Sequence, residues 1–362
     1  MSYLKHKLYG IIFKLFKFTK VSQNRISFIV DSNKSFKGNL DYIKKEFEKR
    51  GDFEFCFFYK DKLSFKSFQK LAGSKYIFLN DNFFPLAFMS FNRECVITQL
   101  WHAPGASKKF GASVDFENKA ILEKISQNTD YLISTSKNIE KFYSEAFQMP
   151  CDKIKPLGLP RLDYYFENHD VSLIKKEFFT RYNIPQHKKL ILYAPTFREE
   201  IKYNNVFEYF DLKTFNDKLS DEYTLLLRLH PKIKDFYGEA ISSDNDYVDV
   251  SDFENEQELM LISDMLITDY SSIMIEYAVL NRPIVFFTYD LDNYLSCERG
   301  FYYDFKKTVP GPVVSNTPEL IDAVENYDFD DGKKSLFLQS QFDELDGESS
   351  KRVVDFLLNN EG

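Results

Sequence analysis

Two histidines close apolar runs in this chain: His102 follows residues 96–101 and His230 follows residues 225–229, so each imidazole is expected at the carboxyl end of a strand. Each is soon followed by proline, Pro231 directly and Pro104 after Ala103, which ends the strand and fixes the turn. An imidazole with an ordinary pKa of about 6.5 can take a proton from a hydroxyl or support a phosphate near neutral pH. A single strand-end histidine is more often structural, whereas a pair from two different domains shifts the reading towards catalysis. His6, His169 and His187 lie in polar or basic contexts and are assigned no role.

Groups that suit phosphate lie around them. Residues 264–290 pack two apolar runs around Thr268, Asp269, Tyr270, Ser271 and Ser272, ahead of a helix expected over residues 273–280. Hydroxyls and free amides at a helix start can receive a phosphate, although a plain cap by Asp269 or Ser271 satisfies the same residues. Arg198 ends the run Tyr193-Ala194-Pro195-Thr196-Phe197-Arg198, and Arg161 stands in Gly158-Leu159-Pro160-Arg161. Either guanidinium could hold phosphate oxygens through two hydrogen bonds or sit in a surface ion pair. After His102, the small residues Ala103, Pro104, Gly105 and Ala106 allow backbone to approach a ligand, and Lys108 and Lys109 add charge suited to a phosphorylated acceptor. A solvated basic loop is the plainer alternative there. The chain has no G-x-x-x-x-G-K-S/T and no G-x-G-x-x-G, and Asp290-Leu291-Asp292 reads as a helix start rather than a metal pair. No metal site and no cofactor are expected, so phosphate charge would be met by helix N-termini, arginines and hydroxyls.

The elements that must position these residues alternate. Apolar runs at 26–30, 53–59, 75–79, 94–100 and 131–134 are separated by helical patterns, and a second series follows at 189–193, 223–229, 248–250, 265–268 and 284–287. Such alternation predicts parallel sheets with helices on both faces, an α/β class, and places ligands outside the carboxyl ends of the strands. With 362 residues and 44% hydrophobic composition, the chain can bury two cores, with a seam near residues 160–188. The expected division is a basic segment at 1–22, a first domain at 23–175 and a second at 176–362. The abundance of Phe, Tyr and Lys reads as codon bias rather than function. Four cysteines at 56, 95, 151 and 297 lack a C-x-x-C pair, which suits a reducing compartment without disulfides or zinc.

Charge is unevenly distributed. Residues 1–20 carry five lysines and no acid, about +5, against about −13 for the remainder of a chain whose net charge is −8. On a helical wheel Leu4, Leu8, Ile11, Ile12 and Leu15 share one side, and Lys7, Lys14 and Lys17 the other. Lys14 and Lys17 interrupt any secretory core, and no run reaches the roughly 18 apolar residues of a membrane span. A basic amphipathic helix lying on an anionic membrane surface is expected, with a helix docked on the protein's own core as the alternative. No nucleic-acid partner is expected.

Taken together, Q-L-W-H-A-P-G-A-S-K-K-F-G (99–111), I-L-Y-A-P-T-F-R-E (191–199), L-R-L-H-P (227–231), L-I-T-D-Y-S-S-I-M-I-E-Y (266–277), R-P-I-V-F-F-T-Y-D (282–290), R-G-F-Y-Y-D-F (299–305) and D-G-E-S-S (346–350) resemble the CDP-glycerol glycerophosphotransferases of wall teichoic acid synthesis. The resemblance implies a GT-B-like fold, two doubly wound Rossmann-type domains with a cleft between them, and a membrane-associating N-terminus at the cytoplasmic face of the cell membrane. It implies transfer of a polyol phosphate from CDP-glycerol or CDP-ribitol to a hydroxyl of an undecaprenyl-diphosphate-linked glycan, with release of CMP. His102 would then be the general base, and His230 and Arg228 would steady the donor pyrophosphate. Arg198, Ser271 and Ser272 would add phosphate contacts, Glu276 would hold the polyol or ribose, and Glu199, Leu229, Thr268, Asp269 and Arg161 would line the substrate site. The form H-A-P-G-A-S-K-K-F-G, Asp81-Asn82-Phe83-Phe84 and the short length look more like the primases than the polymerases. Capsule-polymer polymerases share these motifs. A nucleotide-sugar glycosyltransferase and a non-catalytic lipid-surface scaffold are the remaining alternatives.

Overall fold

A computed structural model describes residues 3–31, 36–60, 62–114, 119–230, 247–298 and 300–359. The start of the turn expected at 32–39, Pro231 and Arg299 lie outside the described residues. The chain forms two units, residues 1–166 with 340–362, and residues 167–339.

The first unit is built on a parallel sheet of β1 (Ser22–Val30), β2 (Glu54–Tyr59), β3 (Ser74–Leu79), β4 (Val96–Gln99), β5 (Tyr131–Ser134) and β6 (Ile154–Pro156). Its spatial order is β2-β1-β3-β4-β5-β6. The chain leaves β1 to one side and returns on the other with β3, so the turns after β1, β3 and β4 gather beside the switch point. Helices α1 (Tyr3–Phe13), α2 (Asn39–Glu48), α3 (Phe65–Ala72), α4 (Lys119–Gln127) and α5 (Glu140–Phe147) connect and cover the strands. β6 has three residues and ends in proline, too little for an apolar period to register in the sequence.

The helix α1 has two apolar faces, which corrects the single stripe expected from the wheel. Phe13 is fully buried, and Tyr9, Ile12 and Phe16 pack with it against Phe68, Leu86 and Phe91 in the first unit's core. Ile12 therefore turns inward, away from the leucines. Leu4, Leu8, Ile11, Leu15 and the following Phe18 are between 52% and 90% exposed. Among the described residues no helix is long and apolar enough to cross a membrane.

The second unit repeats the plan with β7 (Lys189–Ala194), β8 (Tyr223–Leu227), β9 (Val248–Asp249), β10 (Met265–Thr268), β11 (Ile284–Phe287) and β12 (Val313–Val314). Their order is β12-β11-β10-β7-β8-β9, all parallel, with the switch point between β7 and β10. The described helices include α6 (Val171–Arg181), α7 (Leu212–Leu219), α8 (Glu256–Ile262), α9 (Ile273–Ala278), α10 (Thr317–Glu325) and α11 (Asp331–Gln341), whose last two residues belong to the first unit. Met265 to Thr268 and Ile284 to Phe287 are buried along their whole length, as strands covered on both faces require. Each Leu, Ile or Phe so enclosed contributes about 1.5–3 kcal/mol.

The end of the chain, expected in the second domain, belongs to the first unit. Val353, Val354 and Leu357 of α12 (Ser349–Asn359) enter the core formed by Ile26, Phe28 and Tyr76. Asp163 accepts hydrogen bonds from the amides of Ser349 (3.0 Å) and Ser350 (2.8 Å) and from Ser350 Oγ (2.6 Å), so it caps α12 from a distant segment. Burial pushes its carboxyl up, against the pull of those donors. Gly347 precedes this cap at φ +77°, and a Cβ there would lie 2.5 Å from Phe166 Cβ. The motif D-G-E-S-S is thus a docking device for the last helix.

Candidate active site

In the first unit, His102 leaves β4 through a reversed backbone. Trp101 adopts φ +64°, a left-handed conformation that costs a bulky residue of order 1–3 kcal/mol. Two side chains hold it there: Gln99 Oε1 accepts the Trp101 amide at 2.9 Å, and Asn39 Nδ2 donates to the Trp101 carbonyl at 2.7 Å. His102 is half-exposed, with its Nδ1 buried 3.8 Å from Asp81 Oδ1 and its ring 4.0 Å from that of Trp101.

The small-residue loop after His102 is spent on its own support. Tyr143 Oη reaches the carbonyls of Ala103 (3.2 Å) and Gly105 (3.0 Å), the Gly105 amide donates to Thr135 Oγ1 (3.1 Å), and the Ala106 amide donates to Gln341 Oε1 (2.9 Å). Pro104, Gly105 and Ala106 are buried. The backbone expected to approach a ligand at Gly105 and Ala106 instead braces His102, because those amides already have acceptors. Gly111 sustains the same turn at φ +56°, where a Cβ would meet the Ala146 carbonyl oxygen at 2.3 Å. Lys108 and Lys109 remain partly exposed. Arg161 is also partly exposed, and its amide donates to Asn39 Oδ1 at 2.8 Å.

In the second unit, the largest departure from expectation is Arg198. It is neither at the surface nor open to a ligand: its residue is 0% exposed. Nε and Nη2 make a two-pronged contact with Asp290 (2.6 and 2.9 Å), Nη1 donates to the Thr196 carbonyl (2.6 Å), and Nη2 pairs with Asp269 (2.9 Å). Tyr270, Tyr294 and Tyr289 surround the guanidinium at 4.7, 5.2 and 5.6 Å from their ring centres. Burial alone would lower its pKa, but the carboxylates of Asp269 and Asp290 override that and raise it. Asp269 also accepts from Thr196 Oγ1 (2.6 Å) and the Tyr270 amide (2.5 Å), and Thr268 Oγ1 donates to the Ala194 carbonyl (2.8 Å). Arg198, Thr268 and Asp269 therefore weld β7, β10 and the turn after β11 together, and their polar atoms point inward.

Arg228 is likewise occupied. Its Nη1 donates to the carbonyls of Val250 (3.1 Å) and Phe253 (2.9 Å), with Glu256 at 3.8 Å from Nη2. Burial lowers its pKa, against Glu256 and Asp252. Leu229 is buried and its amide donates to Ser251 Oγ (2.9 Å). What remains outward at these strand ends is His230, which is exposed 5.7 Å from the Phe197 ring, together with partly exposed Ser271 and Ser272 and exposed Glu199. The Glu199 amide donates to Glu298 Oε1 (2.8 Å). Glu276 is buried one turn into α9.

Sequence reasoning missed Asn39, Gln99, Tyr143 and Gln341 as supports of His102. It read Asp290 as a helix start; the short helix Leu291–Asn293 does follow, but the carboxylate turns to Arg198 rather than capping it. The available signal was the set of polar residues inside or just beyond apolar runs, which a parallel strand tolerates only with buried partners.

Two parallel Rossmann-type units with polar strand-end turns define an α/β protein of GT-B-like class. Residues 11–359 match the family described as CDP-glycerol:poly(glycerophosphate) glycerophosphotransferase, and the chain belongs to it. It is 34% identical to the teichoic acid poly(ribitol-phosphate) polymerase of Bacillus spizizenii over 97% of this chain, and spans 59% of that relative's length. It is 37% identical to the teichoic acid ribitol-phosphate primase of the same organism, over 81% of this chain and 77% of the relative. Among solved structures, a histidine variant of the wall teichoic acid polymerase TagF superposes with a TM-score of 0.81 at 25% identity, covering 98% of this chain and 93% of that one. Another structure of that variant, soaked with CDPG, superposes with a TM-score of 0.77 at 25% identity.

Proposed function

We propose that this protein transfers glycerol phosphate or ribitol phosphate from a CDP-polyol to a hydroxyl of an undecaprenyl-diphosphate-linked glycan and releases CMP. The observation that carries the reading is the family match along residues 11–359 together with a braced, half-exposed imidazole at the first unit's strand ends. His102 Nε2 takes the proton of the acceptor hydroxyl, whose oxygen attacks the phosphorus bearing the polyol. The new P–O bond forms as the bond to CMP breaks, and CMP leaves with the bonding electrons. His230, Ser271 and Ser272 supply outward donors for the diphosphate, while Arg228 acts on it mainly through its held position. Glu276 holds the polyol or ribose through the first turn of α9. Incubation with CDP-glycerol, CDP-ribitol and a panel of UDP-sugars, each with a lipid-linked disaccharide, tests this: CMP is the expected product, and release of UDP alone would sink the reading.

The protein works at the cytoplasmic face of the membrane, held there by α1. Its outer stripe of Leu4, Leu8 and Ile11, continued by Leu15 in the turn that follows, has lysines on its flanks, as an interfacial helix requires. Because Tyr9, Phe13 and Phe16 already anchor α1 to the core, the stripe can be removed without unfolding the helix. Replacing Leu8, Ile11 and Leu15 together by serine is expected to weaken binding to phosphatidylglycerol vesicles at least about 100-fold in co-sedimentation, since each side chain contributes about 1.5 kcal/mol or more. Unchanged sedimentation of that variant would refute the anchor.

A further inference from the structure

One carboxamide joins the two candidate substrate-facing residues of the first unit. Asn39, the first residue of α2, is 1% exposed and uses both of its donor hydrogens and its carbonyl oxygen across three segments. Nδ2 donates to the Trp101 carbonyl (2.7 Å) and to Asn80 Oδ1 (2.9 Å), while Oδ1 accepts the Arg161 amide (2.8 Å). The Trp101 peptide is thus gripped at its carbonyl by Asn39 and at its amide by Gln99. Gln99 Nε2 also donates to the Asp81 carbonyl (3.3 Å), and Asp81 is the carboxylate facing His102 Nδ1. A left-handed tryptophan is strained, and this double grip on its peptide opposes a relaxation that would swing the next residue away.

We propose that Asn39 is a positioning residue for the transfer reaction, fixing the His102 imidazole and the Arg161 segment in one geometry through a single side chain. The inference rests on the proposed function for its kinetic arm alone. No aspartate can substitute: an ionised carboxylate donates to neither Trp101 nor Asn80 and places a charge against two oxygen acceptors. Nor can alanine, which leaves the Trp101 carbonyl and the Arg161 amide without their partner.

The chain's one tryptophan supplies a readout independent of turnover. Its ring lies 4.0 Å from His102 and 5.4 Å from Phe110, so release of the Trp101 peptide should open the indole to quenching by acrylamide. The experiment uses the full chain as wild type, Asn39→Asp, Asn39→Ala and the milder Asn80→Ala. Expected are intact far-UV circular dichroism, a marked rise in acrylamide quenching in both Asn39 variants, and a smaller rise in Asn80→Ala. With CDP-glycerol and the lipid-linked acceptor, kcat should fall more than about tenfold in the Asn39 variants while the donor KM stays within about twofold. Wild-type quenching in folded Asn39 variants overturns the proposal, with or without a change in turnover, as does unchanged turnover. Where the Asn39 variants do not fold, unchanged quenching and turnover in Asn80→Ala overturn it. Absence of CMP release from the wild type refutes the donor reading and leaves the fluorescence arm to decide the role of Asn39.

Discussion

His102→Ala is expected to abolish transfer while leaving the affinity for CDP-glycerol near that of the wild type. A positioned base contributes about 10²–10⁴-fold, which is roughly 3–5 kcal/mol of barrier, and it acts on the acceptor hydroxyl rather than on the donor. The imidazole is half-exposed and the loop after it is braced through its own backbone, so the variant should still fold. Calorimetric titration of CDP-glycerol into the variant, beside a single-turnover assay of CMP release, separates binding from chemistry. Lost donor affinity with turnover retained would contradict the assignment of a base.

Most of both sheets was legible because β2 to β5, β7, β8, β10 and β11 are apolar runs of four to six residues bounded by turn-forming residues, a pattern that burial on both faces produces, whereas β6 and β12, of three and two residues, leave no such run. The destination of the last helix was not, since Val353, Val354 and Leu357 declare one buried face without saying which core receives it. For α1 the apolar residues were visible, but Tyr9, Phe13 and Phe16 mark a second face that a single-stripe wheel overlooks. The candidate site divides in the same way. Strand-end positions such as His102 follow from local pattern, whereas the residues that hold them are remote: Asn39 stands 62 positions from Trp101 and 122 from Arg161. A buried hydrogen bond over such a separation leaves no period in the sequence, and a guanidinium reads alike whether it meets phosphate or an internal carboxylate.

Arg198→Ala should act on stability before it acts on donor binding. The substitution leaves Asp269 and Asp290, both almost wholly buried, without their counter-charge, and removing one partner of such a set costs about 3–5 kcal/mol. Against a domain stability of about 5–15 kcal/mol this is a large fraction, so the second unit should melt well below its wild-type temperature. Arg198→Lys retains the charge but not the two-pronged contact with Asp290, and should fall between the two. Pairing Arg198→Met with Asp290→Asn tests the cause, since a neutral amide relieves one stranded carboxylate. That double variant should recover part of the loss seen in Arg198→Met alone, giving a coupling energy of about 0.5–3 kcal/mol in a double-mutant cycle. Ser271→Ala provides the contrast: its partly exposed hydroxyl should cost less than about 0.5 kcal/mol of stability while weakening donor affinity. The roles would be reversed if Arg198→Ala melted like the wild type and lost CDP-glycerol, because a guanidinium that met phosphate directly would leave no stranded charge behind. With Arg198 committed to Asp269 and Asp290, the diphosphate contact proposed for the Thr-Asp-Tyr-Ser-Ser turn falls to the partly exposed Ser271 and Ser272, and the buried ion pairs hold that turn in place.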